Sequence, residues 1–177
     1  GQDFARVWMH NGLLQLRDKD GKPAKMAGSL GNVLNVADAL KHAGGQPLRF
    51  FLLGTHYRSP VDLGIWDWKN PATPVPDGVV AAKKSYDTFV RFAERVERIT
   101  GRTLADLPAP SRATPNRKFA RSEHAELYRR FREYMDDDFN TGGAVGVLFE
   151  LVTGLNRLAD HAKMEDPAVT QDGSAHA

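Results

Sequence analysis

The sequence predicts a mainly α-helical chain with one short β-hairpin near its start. Three observations carry this. Apolar residues recur at helical spacing over residues 79–99, 119–135 and 144–158, while a short strand-like run is confined to Leu13, Leu14 and Leu16. The polar turn that follows, residues 18–23 with Asp20-Gly21 at its tip, is a hairpin signal that returns the chain to Lys25. With 177 residues, 41% of them hydrophobic, and no cysteine, the chain holds one sizeable domain or two small ones without disulfides.

In order along the chain, Phe4, Val7 and Trp8 recur at helical spacing and predict the tail of a helix over residues 3–9. After the hairpin, Asn35 suits an N-cap and Asp38 a first turn, and a helix carried by Ala37, Leu40 and Lys41 stops at Gly44-Gly45. Pro47 opens another helix, with Leu48, Phe51 and Leu52 as its buried stripe and Arg49 as a solvated charge. Trp66, Trp68, Pro71, Pro74 and Pro76 predict an ordered surface loop over residues 64–78. Its tryptophans either clamp the loop to its own domain or offer a platform for a base.

The helix over 79–99 carries Tyr86, Phe89, Val90, Ala93, Val96 and Ile99 on one side and ends at Gly101. Pro108, Pro110 and Pro115 mark a flexible connection, and the helix over 119–135 is expected to bury Leu127, Tyr128, Phe131, Tyr134 and Met135. Asp136, Asp137 and Asp138 follow. They oppose the dipole of the helix behind them and favour that of the helix starting near Thr141, so they read as a helix cap or, more sharply, as a metal site. Ala144, Val147, Leu148, Leu151, Val152, Leu155 and Leu158 form the last stripe, ending near His161 before a frayed tail.

Lys plus Arg total 24 against 22 Asp plus Glu, a net charge of +2, too slight to argue for nucleic acid by bulk electrostatics. Any RNA contact must then be a local patch, and Arg112, Arg117, Lys118 and Arg121 make the most basic one; its other reading is a solvated face. No apolar run is long enough to cross a bilayer and no charged-then-apolar leader is present, so the expectation is a soluble protein without a membrane partner. His10, His42, His56, His124, His161 and His176 have no metal-ligand spacing, and no metal ligand is predicted.

The stretch with chemistry is Lys25-Met26-Ala27-Gly28-Ser29-Leu30-Gly31-Asn32. Lys25 offers a mobile ammonium and Ser29 a hydroxyl, while Gly28 and Gly31 let backbone approach a charged ligand, as a triphosphate clamp requires. On residue chemistry alone the stretch is either that clamp or a solvated turn. His10 and Asn11 fill a turn or line a site, and His56 and Arg58 pack and solvate or reach a ligand.

Four blocks in order decide between these readings: Trp8 to Gly12, Lys25 to Asn32, Leu48 to Pro60, and Met135 to Thr141. Together they resemble the second half of a bacterial cysteinyl-tRNA synthetase, a class I aminoacyl-tRNA synthetase. The resemblance covers residues 4–63 and 117–160. It implies the end of a class I, Rossmann-type catalytic domain followed by an antiparallel helical bundle. Residues 1–62 would carry the catalytic part, 63–78 an extended loop, 79–163 the tRNA-supporting bundle and 164–177 a tail.

The implied function is ATP-dependent activation of cysteine and its transfer to tRNA(Cys), with ATP arriving as its magnesium complex. By this resemblance Lys25, Met26, Gly28, Ser29, His10 and Asn11 meet the nucleotide, Lys25 is catalytic, and Arg112, Arg117, Lys118 and Arg121 contact tRNA. In that family Gly28 is a second lysine, which stabilises departing pyrophosphate; here that charge is missing unless Lys22 or Lys25 substitutes. Zinc is implied only for the family's amino-terminal half. The segment alone is expected not to catalyse, and its first part to expose a face normally covered. Two alternatives stand beside this reading, a non-catalytic tRNA-binding paralogue or fragment, and a cysteine:amino-sugar ligase of the mycothiol pathway.

Overall fold

The hairpin forms, and it is part of a larger sheet. In the computed structural model, which describes residues 4–107 and 123–166, strand β1 (Leu14–Arg17) pairs antiparallel with β2 (Pro23–Ala24), Leu16 opposite Ala24 and Arg17 opposite Pro23. The turn between them is held by Asp18, whose Oδ1 accepts the N–H groups of Asp20 and Lys22, each at 2.9 Å. On its other edge β1 pairs in parallel with β3 (Val61–Ile65), in register Leu14 to Val61 and Gln15 to Asp62. The sheet order is thus β2-β1-β3. This third strand is unforeseen in the sequence reading, although Val61, Leu63 and Ile65 alternate with Asp62 and Gly64 as a strand should.

Helices α1 (Val36–Ala43) and α2 (Gly45–Leu53) bridge β2 and β3. Asn35 caps α1 as anticipated, its Oδ1 accepting the Ala37 N–H at 2.9 Å. Helix α3 (Asp77–Thr100) starts against the sheet, because Asp77 Oδ1 accepts the Ile65 N–H at 2.7 Å. Helices α4 (Glu123–Asp136) and α5 (Thr141–His161) complete the five α-helices of the described residues. These residues fall into two units. One comprises the chain up to Tyr86 with Asp137–Gly142, the other the described parts of Asp87–Asp136 and Gly143–Ala177.

The first unit is built on Leu16, Ala43, Leu63, Trp66, Val75 and Val79, with Met26, Leu34, Leu48, Phe51 and Trp68 packed against them. Leu16, the one buried residue of β1, is 2% exposed and anchors the central strand of the sheet to the core. Trp66 clamps its own segment: it is buried, and its indole N–H donates to the Thr73 carbonyl at 2.7 Å. In the second unit Phe89 of α3 meets Phe149 of α5 at 4.7 Å, and Arg95 donates to Asn156 Oδ1 at 2.9 Å and Asp160 at 2.5 Å. Contacts therefore advance together along α3 and α5, so these two helices run parallel. Arg130 of α4 pairs with Glu150 and Tyr134 lies against Gly143, so α4 runs antiparallel to α5.

Four expectations are corrected. Residues Phe4 to Leu13 form no helix: Phe4 is 93% exposed, and without a face to bury against helical spacing alone does not pay the nucleation cost. Leu52, Tyr128 and Leu158 are exposed rather than buried: Leu52 and Leu158 stand in the last turn of their helices, and Tyr128 carries a polar hydroxyl. No described helix is long and apolar enough to cross a membrane.

Truncating Leu16 to Ala removes the centre of the first unit and should lower stability by about 2–5 kcal/mol in denaturant titration. Acid acts on the second unit through Glu150, whose carboxyl is held below its ordinary range first by the hydrogen bond from Arg130. A depressed folded pKa stabilises above the unfolded carboxylate value, and that contribution is lost as pH falls through the folded value. The melting temperature of Glu150→Gln should accordingly lie below that of the unsubstituted chain near neutrality and converge with it in acid.

Candidate functional site

The loop leaves β2 at Lys25 and is closed by one buried side chain. Asn32 is 0% exposed; its Oδ1 accepts the Ala27 N–H at 2.8 Å and its Nδ2 donates to the Lys25 carbonyl at 2.9 Å. Between these anchors Gly28–Leu30 makes a 3-10 turn that ends on Gly31 at φ 68°, the left-handed region where glycine is favoured. Met26 turns inward and packs on the core, whereas Lys25, Gly28 and Ser29 are exposed. The Gly28 position is open: a Cβ there would meet nothing within 4 Å, and its φ is not left-handed.

Sheet alternation sets the residues beside the loop. Leu16 points into the core, so Gln15 and Arg17 share the opposite face of β1, and Asp62 joins them as the parallel partner of Gln15. Lys25 continues the alternation of β2 onto that same face. These four line a cleft of about 390 Å³ together with Met26 and Pro23. Within it Arg17 donates from Nε at 2.9 Å and lies 2.8 Å from the same Asp62 oxygen through Nη2. The Asp62 carboxyl is held below its usual range by the hydrogen bond from Arg17 first and by the Gly64 backbone N–H second. Arg17 and Asp62 were not anticipated as site residues; the alternation of Val61 to Ile65 was the signal that would have found Asp62.

The other blocks meet elsewhere in the same unit. His10 and Asn11 are exposed, with His10 stacked on Trp8 at 6.2 Å, and neither lines the cleft that holds Lys25. Gly12 ties this segment down: its N–H donates to the Tyr57 carbonyl at 2.7 Å, and a Cβ on it would lie 2.0 Å from the Ser59 carbonyl oxygen. The segment after α2 in turn holds Asp138, which accepts from the Tyr57 hydroxyl at 2.9 Å and pairs with Arg58 at 2.8 Å. His56 stands 3.7 Å away from the same carboxylate. The Asp138 carboxylate is thus engaged by these side chains, in place of the helix-capping role the sequence suggested.

Among the described residues no group of three or more His, Cys, Asp or Glu is placed to hold a metal ion. Arg112, Arg117, Lys118 and Arg121 lie outside the described residues. Gly12→Ala forces a Cβ into the Ser59 carbonyl and should cost about 1–3 kcal/mol. Hydrogen exchange should show the loss as faster exchange of the amides around Tyr57 and Asp138.

Comparison with known proteins gives two matches in order along the chain. Residues 1–68 match the tRNA synthetases class I (C) catalytic domain, and residues 130–175 match the DALR domain. Among similar proteins, the cysteine--tRNA ligase of Pelobacter propionicus is 33% identical over 95% of this chain and 31% of its own length. That of Desulfitobacterium hafniense is 36% identical over 88% of the chain and 28% of its own length. The Geobacter sulfurreducens ligase is 34% identical over 93% and 30%. The chain spans about a third of the length of these relatives. With both domain matches in the order found here and these relatives aligned over most of its length, the chain belongs to the cysteinyl-tRNA synthetase family.

Proposed function

We propose that this chain supplies the ATP-clamping loop and the helical tRNA support of a cysteine--tRNA ligase, which activates cysteine with ATP and transfers it to tRNA(Cys). The observation that carries the reading is the loop itself: Asn32 closes it from within, leaving Lys25 exposed at the cleft and Ser29 exposed on the loop beside it. Lys25 neutralises the phosphates of magnesium-bound ATP and the charge that develops as pyrophosphate departs, a positioned cation worth several kcal/mol in such a transition state. Ser29 donates to a phosphate oxygen, Gly28 lets the backbone approach, and Met26 anchors the loop on the core. His10 and Asn11 meet the nucleotide from outside that cleft.

The three-stranded sheet is on this reading the end of a Rossmann-type domain in residues 1–62. Residues 63–78 are its extended loop, 79–163 the bundle that supports tRNA and 164–177 a tail. Arg112, Arg117, Lys118 and Arg121 contact tRNA phosphates, and the work is done in the cytoplasm. Zinc does not fit here: the chain has no cysteine and the described residues offer no ligand cluster, so no step passes through it.

The test is cysteine-dependent exchange of labelled pyrophosphate into ATP by the intact reading frame that carries this sequence. Exchange is expected, falling roughly 100- to 1,000-fold in Lys25→Ala and rising in Gly28→Lys, whose side chain has room. Silence from both the unsubstituted protein and Gly28→Lys would sink the reading.

A further inference from the structure

The reading above leaves the loop with one cation, Lys25, facing a triphosphate. The cleft holds another. Arg17 and Lys25 lie on one face of the hairpin, on adjacent strands and close to diagonal neighbours, a spacing of about 7–8 Å that long side chains span. We propose that Arg17 is the second cation of the phosphate clamp, moving from Asp62 to a phosphate oxygen when ATP enters the cleft. The inference rests on the reading of this loop as an ATP clamp.

Three features support it. The guanidinium spends Nε and Nη2 on one oxygen of Asp62, which leaves its other N–H groups for a further acceptor. The pair is open to solvent, with the Arg17 side chain 48% and Asp62 40% exposed, so exchanging one acceptor for another costs little. A phosphate carries more charge than a carboxylate and matches the planar fork of arginine equally well, so it competes effectively for the same group. With Asp62 counted, the cleft carries a net single positive charge; once Arg17 turns to the ligand, two cations face it. Asp62 then acts as a resting partner that keeps the guanidinium extended over the cleft.

Open space at Gly28 makes the idea testable in a way that a structural role for Arg17 would not satisfy. Binding of magnesium ATP and of inorganic pyrophosphate is measured by calorimetry on the intact reading frame that carries this sequence, with pyrophosphate exchange by the same protein run in parallel. Arg17→Ala should weaken ATP binding roughly 10- to 100-fold. Adding Gly28→Lys to Arg17→Ala should restore it to within roughly 3-fold, because the two positions supply one charge between them. Asp62→Asn breaks the same ion pair and should act in the opposite direction, tightening ATP, since the guanidinium no longer leaves a carboxylate.

Equal weakening in Arg17→Ala and Asp62→Asn, or no rescue by Gly28→Lys, overturns the proposal and makes the pair structural. Exchange and binding that are both indifferent to Arg17 but lost in Lys25→Ala overturn it while leaving the clamp reading intact. ATP binding that needs Arg17 without any exchange upholds it and removes the catalytic reading. Neither binding nor exchange by the unsubstituted protein overturns both.

Discussion

The buried amide of Asn32 is the constraint on which the site geometry depends. It lies fully inside the first unit and finds one partner five residues back and another seven residues back, both on the backbone of the loop it terminates. Leaving such a group unpaired costs about 1–3 kcal/mol, so the loop closes around it whether or not a ligand is bound. With the backbone fixed at both anchors, Met26 is committed inward and Lys25 outward. The Lys25 ammonium makes no ion pair among the described residues, so it meets a ligand without first giving up a partner.

Much of this was legible in the sequence because it is local. The Asp18 turn, the Asn35 cap and the stop at Gly44 each depend on a few neighbouring residues, and each forms where its residue chemistry points. What failed depends on surroundings. Phe4, Val7 and Trp8 have helical spacing, but a stripe makes a helix only when something covers it, and here they stand exposed. β3 was overlooked for the opposite reason: Pro60 and Gly64 break up a run whose strand character comes from the parallel partner it finds in β1.

The same division separates the parts of the site. Lys25, Gly28 and Ser29 are readable as a loop because they lie within one short stretch. Arg17 with Asp62, and Arg58 with Asp138, are not, because each pair joins residues 45 and 80 positions apart, and no pattern within either segment names its partner. Asp138 shows how strongly such a contact acts on backbone. It and Phe139 sit at φ 50° and 55°, conformations an isolated chain avoids, held while Tyr57 and Arg58 grip the carboxylate. The four sequence blocks thus divide: one builds the loop, while the other three are joined through Gly12, Tyr57, Arg58 and Asp138.

The parallel pairing of β1 with β3 also sets a timetable. The hairpin and the Asn32 bonds join residues within one short stretch, so they close only short loops. Val61 to Ile65 must be synthesised, and α1 and α2 laid down, before Asp62 can reach Arg17 across the intervening chain. Until then Arg17 stands without its carboxylate, and the arrival of β3 is the moment at which the cleft gains both its wall and its charge balance.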